Sequence, residues 1–232
     1  MIGQLYPDSE WAIKRLGCFT SSEIDDLLTE PRSKAAKEAG ELSETAKSYI
    51  LKKASELITG TVRDFSNAAV EWGELYESEA AEKVQELRPD IIYYGGKEPK
   101  FFQYTLFSGG SPDGVSKDGA TVLEIKVPEN PSNHVAYCLL NSAEDLKKEE
   151  RKYYHQIQMN MLCVAKEYGH AFRDMKALFA SYCPIVTDGF MKLKTLEIYT
   201  DPDFARRIDA VLESSEKMLS EIVDRLRVVK IV

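Results

Sequence analysis

The order of periodicities along the chain predicts a mixed α/β (α+β) domain. Helical spacing dominates up to Leu87, strict alternation takes over between Phe101 and Val127, and the remainder reads as a long helix, two strands and a closing helix. The second observation is size: 232 residues, 44% of them hydrophobic, can fill one large core, and no linker, repeat or low-complexity tract divides them. A single domain over residues 1–232 is the expectation. The third is the absence of any run approaching the roughly 18 apolar residues that a membrane span needs, so no membrane partner is expected.

Each element has its own signal. A first helix is expected at about Ser21 to Leu28, and a second from Ser43, a good N-cap, to Ile58, with Gly60 as its stop. A third covers roughly Asn67 to Leu87 and ends before Pro89. The strands Phe101–Phe107 and Thr121–Val127 are joined by a turn-rich stretch from Gly109 to Gly119. One long helix is predicted from Ala143 to Tyr168, halted by Gly169, then strands at Ala177–Val186 and Met191–Tyr199. The last helix starts near Pro202 and turns Phe204, Ile208, Val211, Leu212, Met218, Ile222 and Val223 to one side. The sheet is expected to be mostly antiparallel.

The net charge of −8 argues against a nucleic-acid partner as a global number. Its distribution is uneven, because residues 56–110 hold five Lys and Arg against ten Asp and Glu. Cys18, Cys138, Cys163 and Cys183 form no CxxC pair, so they read as free apolar thiols rather than zinc ligands or disulfides. The N-terminal residues lack a basic and an apolar region, which gives a cytoplasmic expectation. His134, His155 and His170 are too scattered for a ligand set, and His155 has no evident role.

One constellation exceeds what packing requires. Alternation in the strand at Thr121–Val127 puts Leu123, Ile125 and Val127 on one face and leaves Glu124 beside Lys126 on the other. Asp113, in Ser111-Pro112-Asp113-Gly114, stands at the turn before that strand. Two carboxylates brought together this way suit Mg²⁺, which favours carboxylates, water and substrate phosphates. An ammonium beside them serves phosphodiester hydrolysis by holding the attacking water and offsetting developing charge. A further carboxylate is expected from the acidic helix, where Glu74 and Glu77 share a side with Val70. Spacing alone does not choose between the two.

These motifs, in this order, resemble the lambda-exonuclease-like (YqaJ-type viral recombinase) branch of the PD-(D/E)xK nucleases. Trp72-Gly-x-x-Tyr-Glu77, Ser111-Pro-Asp-Gly114, Glu124-x-Lys126 and Gln156-x-Gln158 all stand in place, preceded by Arg15-Leu-Gly-Cys-Phe-Thr-Ser-Ser-Glu23 and Pro31-Arg-Ser33. The resemblance runs from about Trp11 to the last helix. It implies a restriction-endonuclease-like core in which Asp113, Glu124, Glu77 and the Ile125 carbonyl bind Mg²⁺, with Mn²⁺ as a substitute, and Lys126 positions the water. It further implies that Arg15, Ser22, Ser111 and Gln158 hold a DNA 5′-phosphate, that Arg32 enters the DNA groove and that Val70 acts as an apolar wedge.

The activity so implied is 5′-to-3′ degradation of one strand at double-stranded DNA ends. It yields 5′-mononucleotides and 3′ single-stranded tails for recombination by strand annealing. A homotrimeric ring and a single-strand annealing protein are the implied partners. Two other readings remain open on the residues: a structure-specific or restriction-like endonuclease of the same fold, and a non-catalytic DNA-end-binding module.

Overall fold

The computed structural model describes residues 3–5, 9–64, 68–96 and 99–228. In chain order the elements are β1 (Gly3–Leu5), α1 (Glu10–Arg15), β2 (Phe19–Thr20), α2 (Ile24–Leu27), α3 (Lys34–Glu38), α4 (Glu44–Thr59), β3 (Val62–Asp64), α5 (Ala68–Leu87) and β4 (Ile91–Tyr93). There follow β5 (Phe102–Thr105), β6 (Ser108–Gly110), β7 (Gly114–Ser116), β8 (Thr121–Lys126), α6 (Pro131–Cys138), α7 (Ala143–Glu149), α8 (Arg151–Tyr168), β9 (Lys176–Tyr182), β10 (Leu193–Tyr199) and α9 (Pro202–Val228).

The main sheet has the order β10-β9-β8-β7-β4. Only the β8–β9 pairing in it is parallel. A smaller sheet, β2-β6-β5, lies beside it, and β1 pairs with β3. Leu123, Ile125, Leu178, Ala180 and Tyr182 pack with Ala80, Ala81 and Val84 of α5. Val122, Phe179 and Ala177 belong to the larger cluster, with Ile157 and Met161 of α8 and Ile208, Leu212 and Leu219 of α9. Every residue of β8 from Thr121 to Ile125 is buried, as a central strand covered on both faces requires.

The second helix matches its sequence signals closely: Ser43 accepts the Ala46 N–H and Gly60 closes the helix at φ +69°. The predicted start of the third at Asn67 lies outside the described residues. The long helix expected over 143–168 is two helices, broken at Glu150 (φ −136°, ψ 60°). Ser142 and Asp145 form a capping box that starts α7 independently. The break falls in the charged run 147–152, where no apolar spacing marks it. The strand expected over 101–107 ends at Thr105, β6 runs into the stretch from Gly109 to Gly119 expected as turn, and that stretch also contains the short strand β7.

Candidate active site

Ser111-Pro112-Asp113 carries the chain from β6 in the small sheet to β7 in the main one. The Asp113 backbone joins both neighbours of β7, donating to the Leu123 carbonyl at 3.1 Å and accepting from Tyr94 N–H at 2.8 Å. Its Oδ2 accepts the Ile125 N–H at 2.5 Å. The hairpin partner of β8 is thus β7, shorter and closer in sequence than the strand anticipated, and Asp113 sits just before it.

Glu124 points away from α5 towards α8, and it is 1% exposed. Stripping a carboxylate of water costs several kcal/mol unless donors replace the water, and three do. Lys126 Nζ and Gln156 Nε2 reach Oε1 at 2.7 and 2.6 Å, and Asn160 Nδ2 reaches Oε2 at 3.0 Å. Lys126 Nζ also lies 4.5 Å from the centre of the Tyr153 ring. Tyr153, Gln156 and Asn160 occupy one stripe of α8 at helical spacing. The spacing of that stripe is present in the sequence, but the Gln-x-Gln motif marks only Gln156 of it.

The electrostatics are unresolved rather than balanced. Burial, then the charges of Glu124 and Glu77, push the Asp113 carboxyl well above the usual carboxylate range. Burial also raises Glu124, with Glu77 adding and Lys126 opposing. For Lys126 burial favours the neutral amine, but Glu124 and Asp113 outweigh it and hold the ammonium above its ordinary value.

Glu77, on α5, accepts the Tyr93 hydroxyl at 2.8 Å. A side chain at Gly95 would overlap both partners, which explains a glycine there. Glu74 and Glu77 together border two clefts that flank the carboxylates. The first, about 660 Å³, is lined among others by Arg15, Ser22, Ser111, Asp113 and Gln156. The second, about 600 Å³, includes Val70, Ile125, Lys126, Asn133 and Tyr153. Among the described residues, Arg15 is the one cation lining the first cleft, against Glu74, Glu77 and Asp113.

Three of the four residues assigned to phosphate binding therefore meet in one place. The Arg15 guanidinium lies 4.1 Å over the Trp11 ring, whose indole N–H donates to Ser111 Oγ at 2.9 Å, and Ser22 Oγ is 3.2 Å from Thr20 Oγ1. Trp11 was not singled out in the sequence. Gln158 is the correction. It is fully buried, donates to the Tyr199 carbonyl and accepts the Asp201 N–H, both at 2.8 Å. Two residues along a helix is more than half a turn, so Gln158 faces away from the cleft and Gln156 faces into it. Arg32 lines a separate cleft with Glu30, Ser33 and Lys47. Val70 is 42% exposed at the rim of the second cleft.

His155 acquires a role on the opposite side of α8. Its Nδ1 lies 2.8 Å from Asp25 Oδ1, and Arg151 grips the same carboxylate at 2.9 and 3.0 Å. The four cysteines are free thiols. Among the described residues no helix is long and apolar enough to cross a membrane.

Among the described residues no three His, Cys, Asp or Glu side chains form a ready-made metal cage. The fit to a divalent cation rests instead on the chemistry of Asp113 and Glu124. Both are hard oxygen donors, both are raised first by burial and then by neighbouring carboxylates whose repulsion a cation relieves, and the Ile125 carbonyl lies between Glu124 and Lys126. Mg²⁺ takes one or two carboxylates and completes its shell with water and phosphate. The residues present fit it.

The fold is restriction-endonuclease-like. It is similar to that of LHK-Exo, an alkaline exonuclease from Laribacter hongkongensis, at TM-score 0.70 and 22% identity over 94% of this chain and 95% of that one. LHK-Exo in complex with dAMP gives TM-score 0.72 and 23% identity over 96% and 99%. A phage related exonuclease from Haemophilus somnus 129PT gives 0.68 and 18% over 90% and 96%. No curated protein matches the sequence. The YqaJ-like viral recombinase domain matches residues 10–167, well over half of the chain, which therefore belongs to that family.

Proposed function

We propose that this chain is a Mg²⁺-dependent exonuclease that degrades the 5′-ended strand of duplex DNA. It releases 5′-mononucleotides and leaves 3′ tails for strand annealing. The observation that carries the reading is the junction of Asp113, Glu124 and Lys126 with a cleft lined by Arg15, Ser22 and Ser111. Membership of a viral recombinase family supports the recombination setting.

Asp113 and Glu124 would hold the cation, with the Ile125 carbonyl completing the protein's share and Glu77 adding negative charge alongside. When bound, Mg²⁺ supplies a Lewis acid for the phosphoryl oxygen and a more acidic water. Lys126 acts as a charged donor: Nζ orients the water and faces the charge that grows on phosphorus. Gln156 and Asn160 hold Glu124 in a single orientation while substrate arrives. Arg15, Ser22 and Ser111 offer a guanidinium fork and two hydroxyls to the terminal phosphate. A ring of three subunits around the DNA and a single-strand annealing partner complete the proposal.

The test is digestion of 5′-phosphorylated linear duplex with Mg²⁺. The expected result is loss of the 5′-ended strand into mononucleotides, with closed circular plasmid left intact. Persistence of both strands, or a wild type no faster than Lys126→Ala, overturns the reading, and nicking of the plasmid replaces it with an endonuclease.

A further inference from the structure

Helix α4 lines neither of the clefts beside Asp113 and Glu124, yet it carries a buried ion pair that meets the cleft wall from behind. Lys53 and Glu56 are 4% and 3% exposed and joined at 3.0 and 3.2 Å. A buried pair seldom improves on apolar side chains of the same size. Its position is informative because of what Glu56 holds besides Lys53: Oε2 accepts the Gly17 N–H at 3.0 Å.

Gly17 is where the chain turns between the two halves of the phosphate cleft. Arg15 ends α1, and Thr20, Ser21 and Ser22 line the cleft beyond the turn. Gly17 adopts φ +72°, and a Cβ there would overlap Leu57 of α4, so backbone and helix are in close contact. α4 grips the same segment at two more points. Tyr49 Oη accepts the Thr20 N–H at 3.0 Å, and Lys52 Nζ bonds Glu23 at 2.6 Å.

We propose that Glu56, held by Lys53, is a positioning residue that sets the spacing of Arg15 and Ser22 and thereby the grip on a terminal phosphomonoester. The inference rests on the function proposed above. Arg15 and Ser22 sit on separate short elements joined by a glycine turn, so their separation depends on what fixes Gly17. A two-sided clamp loses affinity when its donors shift by a fraction of an ångström.

The experiment compares duplexes carrying a 5′-phosphate or a 5′-hydroxyl, with Mg²⁺, for wild type, Glu56→Ala, Glu56→Gln and the double variant Lys53→Met/Glu56→Met. The readout is the ratio of kcat/KM on the two ends. In Glu56→Ala the ratio is expected to fall about tenfold, the scale of one lost charge-assisted hydrogen bond, mainly through KM on phosphorylated ends. Glu56→Gln keeps an acceptor for Gly17 and should retain part of the ratio. The double methionine variant preserves buried volume but not the acceptor, so it should fold and show the same loss. A wild-type ratio in that variant, or equal loss on both ends, overturns the positioning role alone. A wild type indifferent to the end phosphate overturns the phosphate cleft itself, and this inference with it.

Discussion

Two faces of α8 use buried charge in opposite ways. On the Gln156 face, Asp113 and Glu124 stand together with Lys126 as their cationic neighbour, and both carboxyls are raised first by burial and then by like charge. On the His155 face, Asp25 is surrounded by donors. Burial alone would raise it, but the bonds from His155 and Arg151 bring it down to about 2. The same helix thus settles one carboxylate completely and leaves a pair unsettled. The unsettled pair marks where an external cation has most to offer, and the settled one is architecture.

The largest expected effect separates the two faces by activity. Lys126→Ala should cut Mg²⁺-dependent digestion of linear duplex by about a thousandfold, whereas Arg151→Ala should leave most of it. Comparable losses in both would erase the distinction. Next comes stability: Asp25→Asn should cost about 3 kcal/mol at pH 7, because the Arg151 fork loses its counter-charge and the buried His155 ring loses its carboxylate partner. For a chain of this size that lowers Tm by about 6–12 °C.

The pH dependence gives the sign. A carboxyl depressed to about 2 contributes stability that is present above the unfolded value of about 4 and fades as pH falls through about 2. The difference between Asp25→Asn and wild type should therefore close across that window. Asp113 runs the other way. With its carboxyl raised by burial and by the charges of Glu124 and Glu77, it costs stability as pH rises from the unfolded value towards its raised folded one, so Asp113→Asn should abolish activity yet raise Tm in EDTA. A lower Tm would show that the Asp113–Ile125 bond outweighs the repulsion.

The smallest effect tests the orientation of the glutamine pair. Gln156→Ala should lower kcat by about tenfold, while Gln158→Ala should lower Tm and spare kcat, since its amide bridges Tyr199 and Asp201. Thermal melts and steady-state rates on the two variants decide the matter.

Much of this was legible from local pattern. The cap at Ser43, the stop at Gly60 and the opposed faces of Leu123 and Glu124 follow from side-chain periods and terminal hydrogen bonding, which neighbours in sequence determine. The break at Glu150 was not legible, because a run of charged residues carries no apolar period to interrupt. Nor was β7, three residues long and embedded among turn formers. The exchange of Gln158 for Gln156 has a similar cause. A motif names residue types in order, while the direction each side chain takes depends on which face of α8 the sheet covers.

By itself, then, the sequence determined that Asp113, Glu124 and Lys126 belong together, since a short connection and a period of two leave few ways to arrange them. The tertiary structure decided the rest: that α8 seals Glu124 from water, that Arg15 and Ser22 share a cleft with Ser111, and that His155 pairs with Asp25. Those partners are separated by tens to more than a hundred residues. Only packing of the whole core brings them within hydrogen-bonding reach.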